Sequence, residues 1–193
     1  FDDILREAES LVARGYREIV LTGVNIGQYA HGSADFVALL GRLDRVDGLE
    51  RIRISSIEPT TVSEELLDLM ASSKKLCPYL HIPLQSGDDQ ILQAMNRRHT
   101  VNAYRKLIDT ALRKIPDLGI GTDLMVGFPG ETDAAFQNTV AVASDLPFSY
   151  LHVFPYSSRS GTAALRIKQR VSSVSIKKRT NLRLDLDRAK RLV

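Results

Sequence analysis

Five short runs rich in β-branched and other apolar residues punctuate the chain: Arg17–Val24, Arg51–Ile57, Tyr79–Leu84, Gly119–Val126 and Tyr150–Phe154. Their length and flanking turn residues predict buried strands. Amphipathic patterns lie between them. Ile4, Leu5, Ala8, Leu11 and Val12 share one helical face, with Asp2 and Asp3 read as caps, and Phe36, Leu39, Leu40 and Leu43 make a second. Thr61-Val62-Ser63-Glu64 matches a capping box that opens a third, with Leu66, Leu67 and Met70 inward. Thr100 opens a long face of Val101, Tyr104, Leu107, Ile108, Ala111 and Leu112 that stops at Pro116, and Thr132 opens one that ends before Pro147. A helix followed by repeated strand–helix pairs predicts an α/β fold with a parallel sheet and right-handed crossovers. No strand pair reads as a two-residue hairpin. Periodicity leaves two closures open, a doubly wound sheet and a full or partial barrel.

Polar residues gather where each strand ends. The strands close on Thr22-Gly23-Val24-Asn25, on Ser55-Ser56-Ile57-Glu58, on Gln85-Ser86-Gly87, on Thr122 and Asp123 followed by Gly127-Phe128-Pro129-Gly130-Glu131, and on Phe154-Pro155-Tyr156-Ser157-Ser158. Parallel α/β folds bind ligands at the carboxyl edge of the sheet, so this convergence predicts a site there. The absences narrow its chemistry. No lysine lies in a strand run to serve a Schiff-base aldolase, and the four histidines lack metal-ligand spacing. His81 and His152, inside strand runs, read as core or lumen residues. No nucleophile elbow, dinucleotide fingerprint or Walker loop occurs.

Apolar residues at 44% and charged residues at 25% of 193 fit a globular domain, and no apolar run is long enough for a membrane span. No secretory signal opens the chain, and the cytoplasm is the expected compartment. The single cysteine, Cys77, reads as a buried inert thiol and excludes a multi-cysteine metal site built from these residues. The net charge of +3 hides an asymmetry: ten basic against two acidic residues from Arg166 to Val193 give that segment +8. Such a basic tail predicts a polyanion contact, separate from folding of the body.

The segments LTGVNIGQYAHG (Leu21–Gly32), RIRISSIEP (Arg51–Pro59), LHIPLQSGDDQILQAMNRRHT (Leu80–Thr100), IGTDLMVGFPGET (Ile120–Thr132) and LHVFPYSSRSGTAA (Leu151–Ala164) resemble, in order, successive blocks of the radical S-adenosylmethionine methylthiotransferases. The first two look most like the branch that modifies threonylcarbamoyladenosine in tRNA. The other branches act on isopentenyladenosine tRNA or a ribosomal-protein aspartate. The resemblance implies a partial parallel (β/α) barrel over residues 1–165, lacking its first strand. Residues 166–193 would then be a basic helical tail leading toward an RNA-binding domain. It also implies S-adenosylmethionine and two [4Fe–4S] clusters as cofactors, with cluster ligands outside this chain, which alone is expected to be inactive. The implied partner is tRNA and the implied state a monomer, with no membrane association.

Site roles follow from the same resemblance, residue by residue. Thr22, Gly23 and Asn25 occupy the place of the motif that contacts the methionyl amino group, although the usual acidic residue is missing. Ser55, Ser56 and Glu58 would reach the methionyl end or the substrate. Gln85 and Ser86 would face the ribose, and Arg97, in the helix segment after Asp88, the carboxylate. Asp123 to Glu131 spans the superfamily's G-x-I-x-G-x-x-x-E region, with Val126 and Gly127 against the adenine and the backbone near Phe154 and Tyr156 hydrogen-bonding it. Two other classes remain beside the enzyme core: a non-catalytic RNA-binding α/β module and a cofactor-free barrel enzyme.

Overall fold

The computed structural model describes residues 1–181. Helices are α1 (Asp2–Ala13), α2 (Phe36–Leu43), α3 (Glu64–Ser72), α4 (Asp89–Ala94), α5 (Val101–Lys114) and α6 (Asp133–Asp145). Strands are β1 (Glu18–Leu21), β2 (Ala30–His31), β3 (Ala34–Asp35), β4 (Arg51–Ile54), β5 (Tyr79–His81), β6 (Gly119–Val126) and β7 (Tyr150–Pro155). Residues 173–181 add a further helical stretch. The chain forms two compact units, one of Phe1–His81 with Asp109–Gly119, the other of Ile82–Ile108 with the described residues from Ile120 onward.

In the first unit β1 and β4 pair in parallel, Glu18 opposite Arg51 and Leu21 opposite Ile54. Parallel bridges extend the order from Ile52 to Leu76 and from Ser56 to His81. Ile19, Ile52 and Ile54 are buried, as are the helix residues Leu39, Leu40, Leu43, Leu66, Leu67 and Met70. Period-two alternation puts Glu18, Val20, Arg51 and Arg53 on the opposite face. Val20 is 55% exposed, so β1 is buried on one face and not on both as its apolar run suggests. Glu18 accepts from Arg51 Nε at 2.5 Å and Arg53 Nε at 2.7 Å. These bonds, Arg51 first, hold its carboxyl below the usual carboxylate range.

Helix starts follow side-chain capping with two shifts from expectation. Phe1, not an aspartate, occupies the N-cap of α1, and Asp2 and Asp3 act on its dipole from the first turn. The cap of α3 is Ser63, whose hydroxyl accepts from Leu66 N–H, while Thr61 belongs to a 3₁₀ turn over Pro59–Thr61. Thr132 caps α6, and the Thr100 hydroxyl accepts from Ala103 N–H at the start of α5. The structure also contains a hairpin that the alternation does not reveal. β2 and β3 pair antiparallel around Gly32-Ser33, Gly32 having φ 61°. Two-residue strands carry no hydrophobic period to read.

In the second unit β6 and β7 pair in parallel from Gly121–Tyr150 to Val126–Pro155, and Gln85 bridges to Leu124. Tyr104 of α5 is fully buried and donates to Ile82 O at 2.7 Å. Part of the basic segment packs here. Gly130 N–H donates to Gln169 O, Ile167 packs on the Ile91–Phe128–Ala135 cluster, and Arg179 is buried against Glu131. Residues 166–181 therefore take part in the packing of this unit, so this stretch of the basic segment is not separate from folding of the body. The rest of that tail, residues 182–193, lies outside the described residues.

Candidate functional site

In the first unit, the ends of β1 and β4 carry the expected residues side by side. Thr22 and Gly23 are exposed after β1. Asn25 adopts φ 55° and its carbonyl accepts from Gln28 N–H, closing the 3₁₀ turn Ile26–Gln28. Asparagine tolerates this left-handed conformation better than most side chains. Its Oδ1 is buried and has no partner. Ser55 N–H donates to Leu21 O, Ser56 bridges to His81, and Glu58 precedes the turn whose Thr61 N–H and hydroxyl both donate to Glu58 O.

In the second unit, Gln85 is strapped to β6. Its N–H donates to Asp123 O at 2.8 Å and its carbonyl accepts from Met125 N–H at 2.9 Å. It is 5% exposed, adopts φ 68°, and its buried Oε1 has no partner. A non-glycine residue held at positive φ costs about 1–3 kcal/mol and persists only where its surroundings fix it. A buried acceptor without a donor adds to that cost, and it leaves Gln85 Oε1 able to accept from a water or a bound ligand. Ser86 differs. Its hydroxyl lies 3.3 Å from Thr139 Oγ1 and accepts from Asp88 N–H, so the structure places it among packing contacts rather than at a ligand. Gly87 follows because α6 passes close: a Cβ there would lie 2.5 Å from Thr139 Cα.

Beyond Val126 the chain turns at Gly127 (φ 77°), where a Cβ would collide with Ile176. Val126 is fully buried, so Met125, one residue earlier, presents its side chain to the open face of β6. Met95, Met125, Phe128, Phe154 and Tyr156 line a cavity of about 490 Å³ with Arg159 among its polar residues. Phe128 and Tyr156 meet edge to face at 5.3 Å, and the buried Tyr156 hydroxyl has no partner. Arg97 stands in the link between α4 and α5, after left-handed Asn96, and its N–H donates to Leu92 O. It is therefore not on a helix.

Glu131 carries a structural duty. Its Oε2 accepts from Gly127 N–H at 2.8 Å and from Arg179 Nη1 at 2.6 Å, and Arg179 Nη2 reaches Asp133 at 2.7 Å. His152, expected from sequence in the core or lumen, is not in the core: its side chain is 72% exposed, with Nδ1 3.3 Å from Asp123 Oδ1. The available signal is its place two residues before Phe154, which puts both on one sheet face. Cys77 is half-buried, its N–H donating to Ile52 O.

The family described as the radical SAM superfamily matches residues 1–143. Among curated relatives, the threonylcarbamoyladenosine tRNA methylthiotransferase MtaB of Bacillus subtilis is 41% identical over 173 residues, 88% of this chain and 38% of that protein. A tRNA-2-methylthio-N(6)-dimethylallyladenosine synthase of Ruegeria pomeroyi is 42% identical over 167 residues, 84% of this chain and 38% of that protein. Among solved structures, coproporphyrinogen III oxidase (HemN) from Escherichia coli, a radical SAM enzyme, superposes with a TM-score of 0.73 at 18% identity over 98% of this chain and 46% of its own. The radical S-adenosylmethionine methyltransferase TsrM from Kitasatospora setae, with cobalamin and a [4Fe–4S] cluster bound, gives 0.66 at 18% identity over 80% of this chain and 30% of its own. The fold is the radical SAM β/α fold. The chain belongs to the radical SAM superfamily. It spans 38% of the length of each of these two curated relatives.

S-adenosylmethionine and [4Fe–4S] clusters are the cofactors of that family, and the residues present fit the first but not the second. In the second unit, Gln85 Oε1 is a buried acceptor able to take a donor such as a ribose hydroxyl, and the Met- and Phe-lined cavity suits a planar base. An iron–sulfur cubane is held by several cysteine thiolates, whereas the chain has one cysteine. Among the described residues no group of three or more His, Cys, Asp or Glu side chains is placed to hold a metal ion.

Proposed function

We propose that this chain is the core of a tRNA methylthiotransferase that places a methylthio group at C2 of threonylcarbamoyladenosine. The observation that carries the reading is Gln85, held in a left-handed conformation by two backbone bonds to β6 with its buried Oε1 unpartnered, in a chain of this family. Gln85 would accept from a ribose hydroxyl of S-adenosylmethionine. Met125, Phe154 and Tyr156 would enclose its adenine and exclude water, with the Tyr156 hydroxyl free to bond the base edge. The bound cofactor supplies one-electron chemistry at a C–H bond.

Overall identity does not separate the two tRNA substrates, at 41% and 42%. The threonylcarbamoyl branch rests on LTGVNIGQYAHG and RIRISSIEP. Of the basic residues in the described part of the tail, Arg179 is buried in its ion pairs, so phosphate contacts fall to exposed neighbours such as Lys177 and Lys178. Among the described residues no helix is long and apolar enough to cross a membrane. Action on tRNA, as a monomer in the cytoplasm, completes the reading.

The test supplies the full-length, cluster-loaded enzyme with tRNA bearing either N6 group and identifies the product nucleoside by mass. A methylthio group on threonylcarbamoyladenosine supports the reading. Conversion of dimethylallyladenosine alone overturns the choice of branch.

A further inference from the structure

We propose that His152 is a specificity residue for the polar substituent on N6 of the substrate adenosine, hydrogen-bonding a carbamoyl-amino-acid chain where a dimethylallyl chain offers no partner. The proposal rests on the threonylcarbamoyl reading above. In the β6–β7 register, Asp123 stands opposite His152 and Met125 opposite Phe154, so the four share one face of the ribbon. The other face carries Thr122, Leu124 and Leu151, all at most 2% exposed. Core packing therefore accounts for the second set; of the first, Met125 packs against the Ile91–Phe128–Ala135 cluster, which leaves Asp123 and His152 as the pair to be explained.

On the open face, the Asp123 carboxyl is 20% exposed at its side chain and lies 3.3 Å from His152 Nδ1, while the imidazole is 72% exposed. The ring also meets Phe154 edge to face at 5.9 Å. An exposed polar contact of this kind contributes little to stability, so the fold gains little from this one. What the arrangement does is orient the ring. A carboxylate on Nδ1 fixes the imidazole and leaves Nε2 as the nitrogen offered to a partner, the usual way of preparing a histidine for a defined role. Nε2 can accept from a urea N–H or a hydroxyl, or donate to a carboxylate. A threonylcarbamoyl group carries all three, and a dimethylallyl group none.

The position suits a substrate contact. Phe154 lines the cavity assigned to the cofactor's base, and His152 lies two residues before it on the same face, about 7 Å along the strand. Asp123 is then a positioning residue that acts through His152.

The experiment uses the full-length, cluster-loaded protein and two anticodon stem–loops, one with threonylcarbamoyladenosine and one with dimethylallyladenosine. Binding is read by fluorescence anisotropy beside kcat/KM. His152→Ala is expected to weaken the threonylcarbamoyl RNA about tenfold or more, the range for a hydrogen bond to a charged or strongly polar group. It should leave the dimethylallyl RNA within about twofold. His152→Gln, which keeps a side-chain donor and acceptor, should recover part of the loss, and Asp123→Asn should show a smaller loss with the same selectivity. Equal weakening of both RNAs, or none, overturns the role of His152. The unmutated protein tests the substrate reading separately: if it binds and converts only the dimethylallyl RNA, that reading falls, and the proposal with it.

Discussion

Replacing Arg179 with alanine should destabilise the second unit more than any exposed charge deletion. The Glu131 side chain is 1% exposed and that of Arg179 8%, with Nη1 2.6 Å from Oε2. Without the guanidinium, the Glu131 carboxylate keeps Gly127 N–H as its donor, while Oε1 is already buried without a partner. Removing one member of a buried pair costs about 3–5 kcal/mol, because the remaining charge is left uncompensated. The arm to Asp133, whose side chain is 95% exposed, adds about 0–1 kcal/mol. The guanidinium carbon also stands 5.3 Å from the centre of the Phe136 ring, and alanine cannot reach that ring. Against a typical domain stability of about 5–15 kcal/mol, the loss is a large fraction. Urea denaturation of the protein, followed by circular dichroism, measures it, with Lys177→Ala as the exposed control. A double change, Arg179→Leu with Glu131→Leu, should recover part of the loss by removing both charges. A cost below about 1 kcal/mol for Arg179→Ala would mean that the pair is worth no more than a surface one. The basic segment would then not hold the Gly127–Glu131 loop.

Two further outcomes follow from buried contacts. Burial pushes the Tyr104 hydroxyl well above its ordinary value of 10.0. A group whose pKa is raised on folding stabilises the fold below its unfolded pKa. Stability should thus fall as pH climbs through about 10 and beyond, and Tyr104→Phe should flatten that fall while costing about 0.5–1.5 kcal/mol at neutral pH, both read from denaturant melts across pH. Gly87→Ala should destabilise by about 1–3 kcal/mol through overpacking, since the new Cβ would sit 2.9 Å from Asn138 O as well as against Thr139; an unchanged thermal midpoint would contradict the close approach of α6.

The parts legible in the sequence are those with a period or a strong local signal. β6 matches its apolar run at both ends, over Gly119–Val126, and Thr132 caps α6 as its position announces. The family blocks point to the radical SAM β/α fold where periodicity leaves two closures open. What stays hidden depends on contacts distant in sequence. Arg179 reads as one basic residue among ten, and only the fold brings it to Glu131, 48 positions away. The hairpin of β2 and β3 is too short for alternation to register. Val126 and Gly127, expected at the adenine, are covered by the core and by Ile176, and Met125 takes the open face because strand alternation reverses between neighbours. The strand run around His152 leaves core and lumen open, and β7 excludes the core by leaving its side chain exposed beside Asp123.

In the proposed site, the partnerless oxygen of Gln85 is the group on which cofactor binding would depend most directly. Calorimetric titration of S-adenosylmethionine into the full-length, cluster-loaded protein and into its Gln85→Ala variant measures that dependence, with the visible absorption of the cluster as a check on loading. One lost hydrogen bond of about 0.5–1.5 kcal/mol predicts a roughly two- to twelvefold weaker affinity with the cluster spectrum unchanged. Equal affinities in the two proteins would remove Gln85 from the cofactor site and contradict the assignment built on it.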